Sequence, residues 1–425
     1  MKPTLLPFDD ALSALMARAL PVAGRERVRT QDANARVVAA ALVSTLNVPP
    51  MDNTQMDGYA LRTADLAAGG RLRVAQRIPA GQVGQPLQPG TAARIFTGAM
   101  IPDGADAVVM QEMADLQGDD VLIKHWPAPG EWIRRTGEDI RAGSVILPAG
   151  TRLTPQACGL AASVGLAGVE VYRRVRVACF FTGDELAMPG EALRPGAIYN
   201  SNRFVLVSLL QQLGCVVEDL GIVPDSLPAT RAALRKAALE NDLIVTVGGM
   251  SVGEEDHVKP AVCAEGELDL WQIAIKPGKP LAYGTVRRPP ATDAAGGAGQ
   301  PASAGGTGQP ASAHFIGLPG NPVSAFVTFL MFVRPFVLRL QGMDRVEPRR
   351  LTLRADFSWP KPDKRREFLR ARINAEGGLD LFANQGSAVL TSTVWGDGLI
   401  DNPSGQAIVP GDPVRFLSFA DLLAG

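Results

Sequence analysis

The segment "GGMSVGEEDHVKP", from Gly248 to Pro260, holds two competing chemistries. Gly249 to Gly253 fit the G-x-S-x-G pattern of a serine nucleophile elbow, and the apolar run "DLIVTV" before them is the strand such an elbow needs. Glu254, Glu255 and Asp256 follow at once, and carboxylates crowded around Ser251 oppose the oxyanion that acyl transfer develops. A hydrolase also needs an acid and then a histidine downstream. Only His257, less than two turns along the same segment, and His314, beside a low-complexity stretch, follow Ser251. Ser251 and Glu254 instead form the S-x-x-E capping box that opens a helix. Gly248, Gly249 and Gly253 let backbone approach a ligand closely, and the N–H groups of a helix start attract phosphate.

Other candidates are acids and lysines at turns. "KPGKP" sets Lys276 and Lys279 on either side of a Pro-Gly turn, where two cationic heads could converge on one oxyanion. Lysine is scarce here, eight in the whole chain, yet two fall within four residues. "PPMDNTQMDGYALR" offers Asp52 and Asp57, Asp52 fitting an Asx-type turn, and "IFTGAMIPDGADAVV" offers Thr97 and Gly98 after a short strand. "FTGDELAMPG" puts Asp184 and Glu185 at a strand end, and "VPDS" does the same for Asp225, which also fits a helix N-cap. Asn321 and Pro322 read as a cap and first helical residue. Taken singly, each acid, Thr97 and Asn321 reads first as a turn or a cap, and only the lysine pair is as readily a ligand.

Composition narrows the partners. With 42 basic and 43 acidic residues the net charge is -1, so no global field draws nucleic acid or an acidic membrane, and an anion must be bound locally. Cys158, Cys179, Cys215 and Cys263 form no C-x-x-C pair, and no H-E-x-x-H occurs. A metal would be a hard ion held by carboxylates, and the cysteine usage suits a reducing cytoplasm. Asp9 and Asp10 interrupt any apolar leader, and "AFVTFLMFVRPFVLRL", broken by Arg334 and Pro335, reads as too short for a membrane span.

The elements that must position these residues change texture along the 425 residues. "DDALSALMARAL" and "TQDANARVVAAALVSTL" show helical spacing. From Val48 to about Trp132, short β-prone pieces alternate with Gly- and Pro-rich turns. From Val175, strands and helices alternate, implying βαβ units and a parallel sheet with ligand loops after Phe181, Val223 and Val247. The Gly/Ala/Pro/Ser stretch 287–313, with "GQPASA" twice, reads as a disordered surface loop. Beyond Val346 the texture is β-like again.

In order, "DNTQMDGYALR", "IFTGAMIPDGADAVV", "GEDI", "FTGDEL", "YNSN", "GGMSVGEEDHVK", "KPGKPLAYG" and "GLPGNPVSAF" resemble the molybdopterin molybdenumtransferase family, the bacterial MoeA proteins and the gephyrin E domain. The resemblance implies an α/β multidomain homodimer whose site lies between subunits. Its N-terminal helical and extended domain would take residues 1–47 and 138–172, a β-rich insertion 48–137, a doubly wound molybdopterin-binding domain 173–342, and a C-terminal β domain 346–425. It implies a cytoplasmic enzyme that inserts molybdenum from molybdate into adenylylated molybdopterin and releases AMP, with Mg²⁺ assisting. Asp57, Thr97, Asp139, Glu185, Asp225 and Asp256 would be catalytic, with Glu185, Asp225 and Asp256 near the magnesium. Gly248, Gly249, Ser251, Lys276, Lys279, Pro319, Pro322, Arg370 and Ser387 would bind substrate. The family's setting also implies contact with the molybdopterin adenylyltransferase and downstream molybdoenzyme factors, and neither nucleic acid nor membrane. A non-catalytic molybdopterin-binding scaffold and a G-x-S-x-G hydrolase are the alternatives.

Overall fold

The computed structural model describes residues 5–22, 24–249, 256–288 and 311–424. Ser251 with its capping box, and positions 289–310 of the low-complexity stretch, lie outside them.

The middle of the chain builds a sheet flanked by helices. Its elements are β1 (Arg176–Thr182), α1 (Ser201–Gln212), β2 (Val216–Val223), α2 (Leu227–Glu240), β3 (Leu243–Val247), α3 (Val258–Glu265), β4 (Gly266–Gln272), β5 (Pro280–Arg287), β6 (Ser312–Leu318) and α4 (Pro322–Leu340). All of β3, and β1 beyond Arg176, is buried, as expected of unbroken apolar runs covered on both faces. The Asn200 side chain caps α1, accepting from Arg203 N. Ser226, not Asp225, caps α2, with Pro228 in the first turn.

The strand order is β2-β1-β3-β6-β5-β4. Neighbours β2, β1, β3 and β6 run parallel, whereas β5 runs against both β6 and β4. The sheet is therefore mixed, because short returns rather than crossover helices join β4 to β5. From β1 the chain turns to β2 on one side and comes back to β3 on the other, so the carboxyl ends of β1 and β3 flank a topological switch point. Arg287 pairs with Ser312, so those residues and Ala313 belong to strands and not to the loop read over 287–313.

Helix α4 runs unbroken through Arg334 and Pro335 for 19 residues, with mean hydropathy 1.7, and 94% of its apolar window is buried inside the protein. It is long enough to cross a membrane, contrary to the sequence reading. A π-turn at Phe329–Val333 precedes Pro335, whose ring supplies no N–H to an α-helical ladder. Arg334 is buried, donating from Nε to the Leu422 carbonyl at 2.7 Å and from Nη1 to the Val346 carbonyl at 2.9 Å.

Before Asn47, strand Arg25–Arg29 pairs with Gly168–Tyr172, and Leu42–Val43 with Val145–Leu147. The helix expected over "TQDANARVVAAALVSTL" is absent. A single 3₁₀ turn at Thr30–Asp32 gives way to bridges from Val37 to Arg152 and Val38 to Val171, tertiary pairing that suits β-branched residues better than a helix. Helix Phe8–Met16 packs elsewhere, its Phe8 ring 5.2 Å from Phe332 of α4 and 5.5 Å from Phe368. The β-rich segment forms one six-stranded sheet from Gly58–Leu61 to Asp120–Ile123. The last sheet contains Arg366–Ile373, Gly398–Asn402 and Pro413–Ser418. Ile275–Lys276, just after β4, pairs in parallel with Arg366–Glu367, so the KPGKP turn is stitched into that C-terminal sheet.

Candidate substrate cleft

At the carboxyl ends of β3 and β6 opens a cleft of about 530 Å³. Gly248 and Gly249 enter it from β3, Lys276 to Pro280 from the β4–β5 turn, and Pro319 to Asn321 with Ser324 from the start of α4. Arg365, Gln385, Gly386 and Ser387 close it from the C-terminal domain. Among the described residues its lining holds three cations, Lys276, Lys279 and Arg365, and no carboxylate. The start of α4 faces the same space through Asn321 and Ser324 and adds the positive end of its dipole, although Pro322 carries no N–H and Val323 N already donates to the Ser387 carbonyl at 2.9 Å.

Two glycines let the walls close up. Gly278 has φ +97°, and a Cβ there would lie 2.6 Å from Thr328 Oγ1, so the turn presses onto α4 as only glycine allows. Gly248 has φ +100°, and its Cβ would lie 2.3 Å from the Thr182 carbonyl oxygen.

The cations are held differently. Lys279 is exposed and, among the described residues, has no ion-pair or side-chain hydrogen-bond partner. Lys276 donates to Glu367 Oε1 at 3.2 Å and lies 3.7 Å from Asp363 Oδ2. Arg365 grips Asp363 with both prongs, at 3.0 and 2.9 Å. Those bonds hold the Asp363 carboxyl well below its ordinary range, against partial burial. Arg370 is fully buried beneath the cleft rather than on its surface, donating to Gly386 O at 3.2 Å and to Ser392 Oγ at 3.1 Å. Burial pulls its pKa down to about 10.

A second cleft of about 570 Å³ adjoins the first, sharing Gly248, Gly320 and Asn321. Thr182, Glu185, Tyr199, Asn202 and Pro322 line it. Among the described residues, the Glu185 carboxylate has no hydrogen-bond or ion-pair partner. Asp225 stands behind, accepting from Thr182 Oγ1 at 3.1 Å. Asp256, with a side chain only 6% exposed, is paired with Lys259 at 3.1 Å and packs beneath Gly249. Glu185, Asp225 and Asp256 do not converge, and no group of three His, Cys, Asp or Glu side chains among the described residues forms a ready metal cage. Magnesium needs no such cage, since it keeps waters and takes one or two carboxylates with substrate phosphates, a donor set that the open Glu185 fits.

The remaining predicted residues lie apart. Asp57 accepts from Thr97 N and Thr97 Oγ1, both at 2.8 Å, which holds its carboxyl below the ordinary range. Both sit in turns at strand ends of the β-rich sheet, Asp57 just before Gly58–Leu61 and Thr97 just after Thr91–Ile95; Asp139 is exposed beyond it, and none of the three lines either cleft of this chain. Asp52 makes no local Asx turn. It ties Thr136 N at 2.8 Å and Arg135 Nη1 at 2.7 Å across the domain. His314 receives no triad role, since its Nδ1 meets the Tyr283 hydroxyl at 2.8 Å near the start of β6, away from the cleft. Sequence reasoning missed Arg365, Asn321 as a cleft residue, and Glu367. The basic run Lys364 to Arg366 ahead of "EFLRAR" was the available signal for Arg365.

Three family models match successive parts of the chain. They are described as the MoeA N-terminal region, domains I and II, over residues 6–165; a probable molybdopterin binding domain over residues 178–339; and the MoeA C-terminal region, domain IV, over residues 352–419. The chain is 38% identical over 382 residues to a molybdopterin molybdenumtransferase of Haemophilus influenzae, covering 89% of each chain. It is 36% identical over 366 residues to one of Nostoc, covering 84% of this chain and 79% of that one. The solved molybdopterin biosynthesis MoeA protein of Pyrococcus horikoshii superposes with a TM-score of 0.82 at 26% identity, over 98% of this chain and 100% of that one.

Proposed function

The chain belongs to the molybdopterin molybdenumtransferase family, and we propose that its two adjoining clefts together carry out the family's reaction. It is an enzyme of molybdenum cofactor biosynthesis that inserts molybdenum into molybdopterin. The supporting observation is the pairing of a cleft whose described lining holds three cations and no carboxylate with a neighbouring cleft that carries Glu185, a carboxylate without a partner among the described residues.

The finer reading takes adenylylated molybdopterin and molybdate as substrates and the molybdenum cofactor and AMP as products. Lys276, Lys279 and Arg365 attract the molybdate dianion and ligand phosphate, and the Ser324 and Ser387 hydroxyls donate hydrogen bonds to them. Pro319 and Pro322 stiffen the wall between the clefts, while Gly248 and Gly249 admit the ligand close to backbone. Magnesium, when bound, would neutralise phosphate charge and ease loss of AMP, with Glu185 as its first oxygen donor and Asp225 and Asp256 in support. Arg370 acts from beneath, holding the loop that carries Ser387. Asp57, Thr97 and Asp139 act in a homodimer, reaching the cleft of the other subunit. The reaction runs in the cytoplasm, between the molybdopterin adenylyltransferase and molybdoenzyme factors.

The test follows AMP and cofactor formation when purified protein meets adenylylated molybdopterin, Mg²⁺ and molybdate, comparing wild type, Glu185→Ala and Asp256→Ala. AMP release that requires molybdate and collapses in Glu185→Ala, with molybdate still bound, is the expected result. Ligand binding with no molybdate-dependent AMP release from the unaltered protein would overturn catalysis in favour of a scaffold.

A further inference from the structure

We infer that Glu367 is a positioning residue for the oxyanion cleft, fixing Lys276 directly and Arg365 through Asp363; the inference rests on the reading of that cleft as the molybdate site. The Glu367 side chain is 0% exposed, and a carboxylate so buried is tolerated only where hydrogen bonds and a counter-charge satisfy it. Its two oxygens face different partners. Oε2 accepts from Trp359 Nε1 at 2.8 Å, Asp363 N at 3.1 Å and Asn402 Nδ2 at 3.5 Å, all within the C-terminal domain. Oε1 accepts from Lys276 Nζ at 3.2 Å. One oxygen is thereby anchored, and the other is presented to a lysine of the cleft.

Backbone geometry fixes the same approach. Lys276 and Glu367 are register partners in a parallel pairing, and Arg366 N donates to Ala274 O at 2.9 Å. The Lys276 ammonium also lies 5.9 Å from the centre of the Trp359 ring. The Asp363 amide that donates to Glu367 belongs to the residue whose carboxylate forks Arg365, so the acid sets a second cation at one remove. Lys276 thus surrenders its rotamer freedom on folding, whereas Lys279 still has that freedom to lose when it meets an anion.

The loss of Glu367 has two opposed consequences, and they separate positioning from charge. Removing a negative charge beside the cleft, by itself, strengthens anion binding; releasing Lys276 weakens it. We expect release to win. The experiment measures molybdate affinity by calorimetry, and kcat and KM for molybdate, in wild type, Glu367→Gln, Lys276→Ala and the double variant, with thermal unfolding as the folding control. Glutamine keeps an acceptor for Trp359 while losing the charge that holds the lysine. Glu367→Gln is expected to weaken molybdate binding about tenfold in the wild-type background and less than about twofold once Lys276 is alanine. Equal losses in both backgrounds, or tighter binding, would overturn the positioning role. Should Glu367→Gln fail to fold, Glu367→Asp keeps the charge but draws it back by one methylene; wild-type affinity in that variant overturns the inference equally. Wild-type protein that binds no molybdate would instead overturn the function on which it rests.

Discussion

Gly278→Ala tests whether the turn bearing both lysines is held by contact with α4. At φ +97° an L-residue costs roughly 1–2 kcal/mol. The added Cβ would also stand 2.6 Å from Oγ1 of Thr328, a residue only 1% exposed and fixed on a fully packed helix. Overpacking of this kind costs about 1–3 kcal/mol more if nothing moves. The helix cannot retreat, but the turn borders an open cleft, so the turn yields. Part of the strain then appears as displacement of Lys276 and Lys279 instead of lost stability. We expect unfolding free energy to fall by about 2 kcal/mol and molybdate affinity to fall about tenfold or more. Calorimetry and denaturant unfolding on the same preparation measure both. Adding Thr328→Ala removes the colliding atom and should restore much of the affinity while leaving the φ penalty. A Gly278→Ala protein with wild-type affinity would refute the claim that close approach to α4 sets the lysines.

Lys279→Ala removes a cation that has no partner among the described residues, so molybdate binding should weaken by about 1.5–3 kcal/mol and lose part of its salt dependence; titration at two ionic strengths checks this. The Asp363 carboxyl sits below its ordinary range when folded, so its stabilisation is complete above its unfolded pKa and is lost as pH falls through the folded value. Asp363→Asn should therefore unfold with a shallower acid dependence below about pH 4, by about 1 kcal/mol, in pH-dependent denaturation. Arg370→Met should cost about 2–4 kcal/mol of stability, because it unties the loop carbonyl of Gly386 and the Ser392 Oγ of the short helix Thr391–Trp395 from the C-terminal sheet, and thermal unfolding should show it.

What the sequence made legible follows from how local each signal is. Glu185 and Gly248 were found because strand ends and glycine turns are written in consecutive residues, and topology then brings them to one switch point. Lys276 and Lys279 were found by spacing alone. Glu367 was not, because its importance arises from pairing with a residue 91 positions away. The antiparallel β5 was missed for a similar reason: alternation of strands and helices announces crossovers, but a strand returning without a helix leaves no periodic trace. "TQDANARVVAAALVSTL" misled because an alanine-rich spacing fits a helix until distant strands compete for its valines. Arg370 illustrates the reverse. Its motif pointed to the cleft, yet the guanidinium lies beneath the floor rather than on it.

The register of β5 against β6 has a practical meaning. Arg287 and Ser312 face each other at the end of the hairpin opposite Pro280, and seven steps of extended chain, about 23 Å, lie between that end and the lysine turn. Whatever joins the two positions enters and leaves through neighbouring doors, so added length there is a side branch and imposes no change of register on the strand that leads to the cleft. That hairpin end is a port: a label placed at Arg287 or Ser312 would ride on paired strands seven residues from the lysine turn, an attachment point outside the residues that line the cleft.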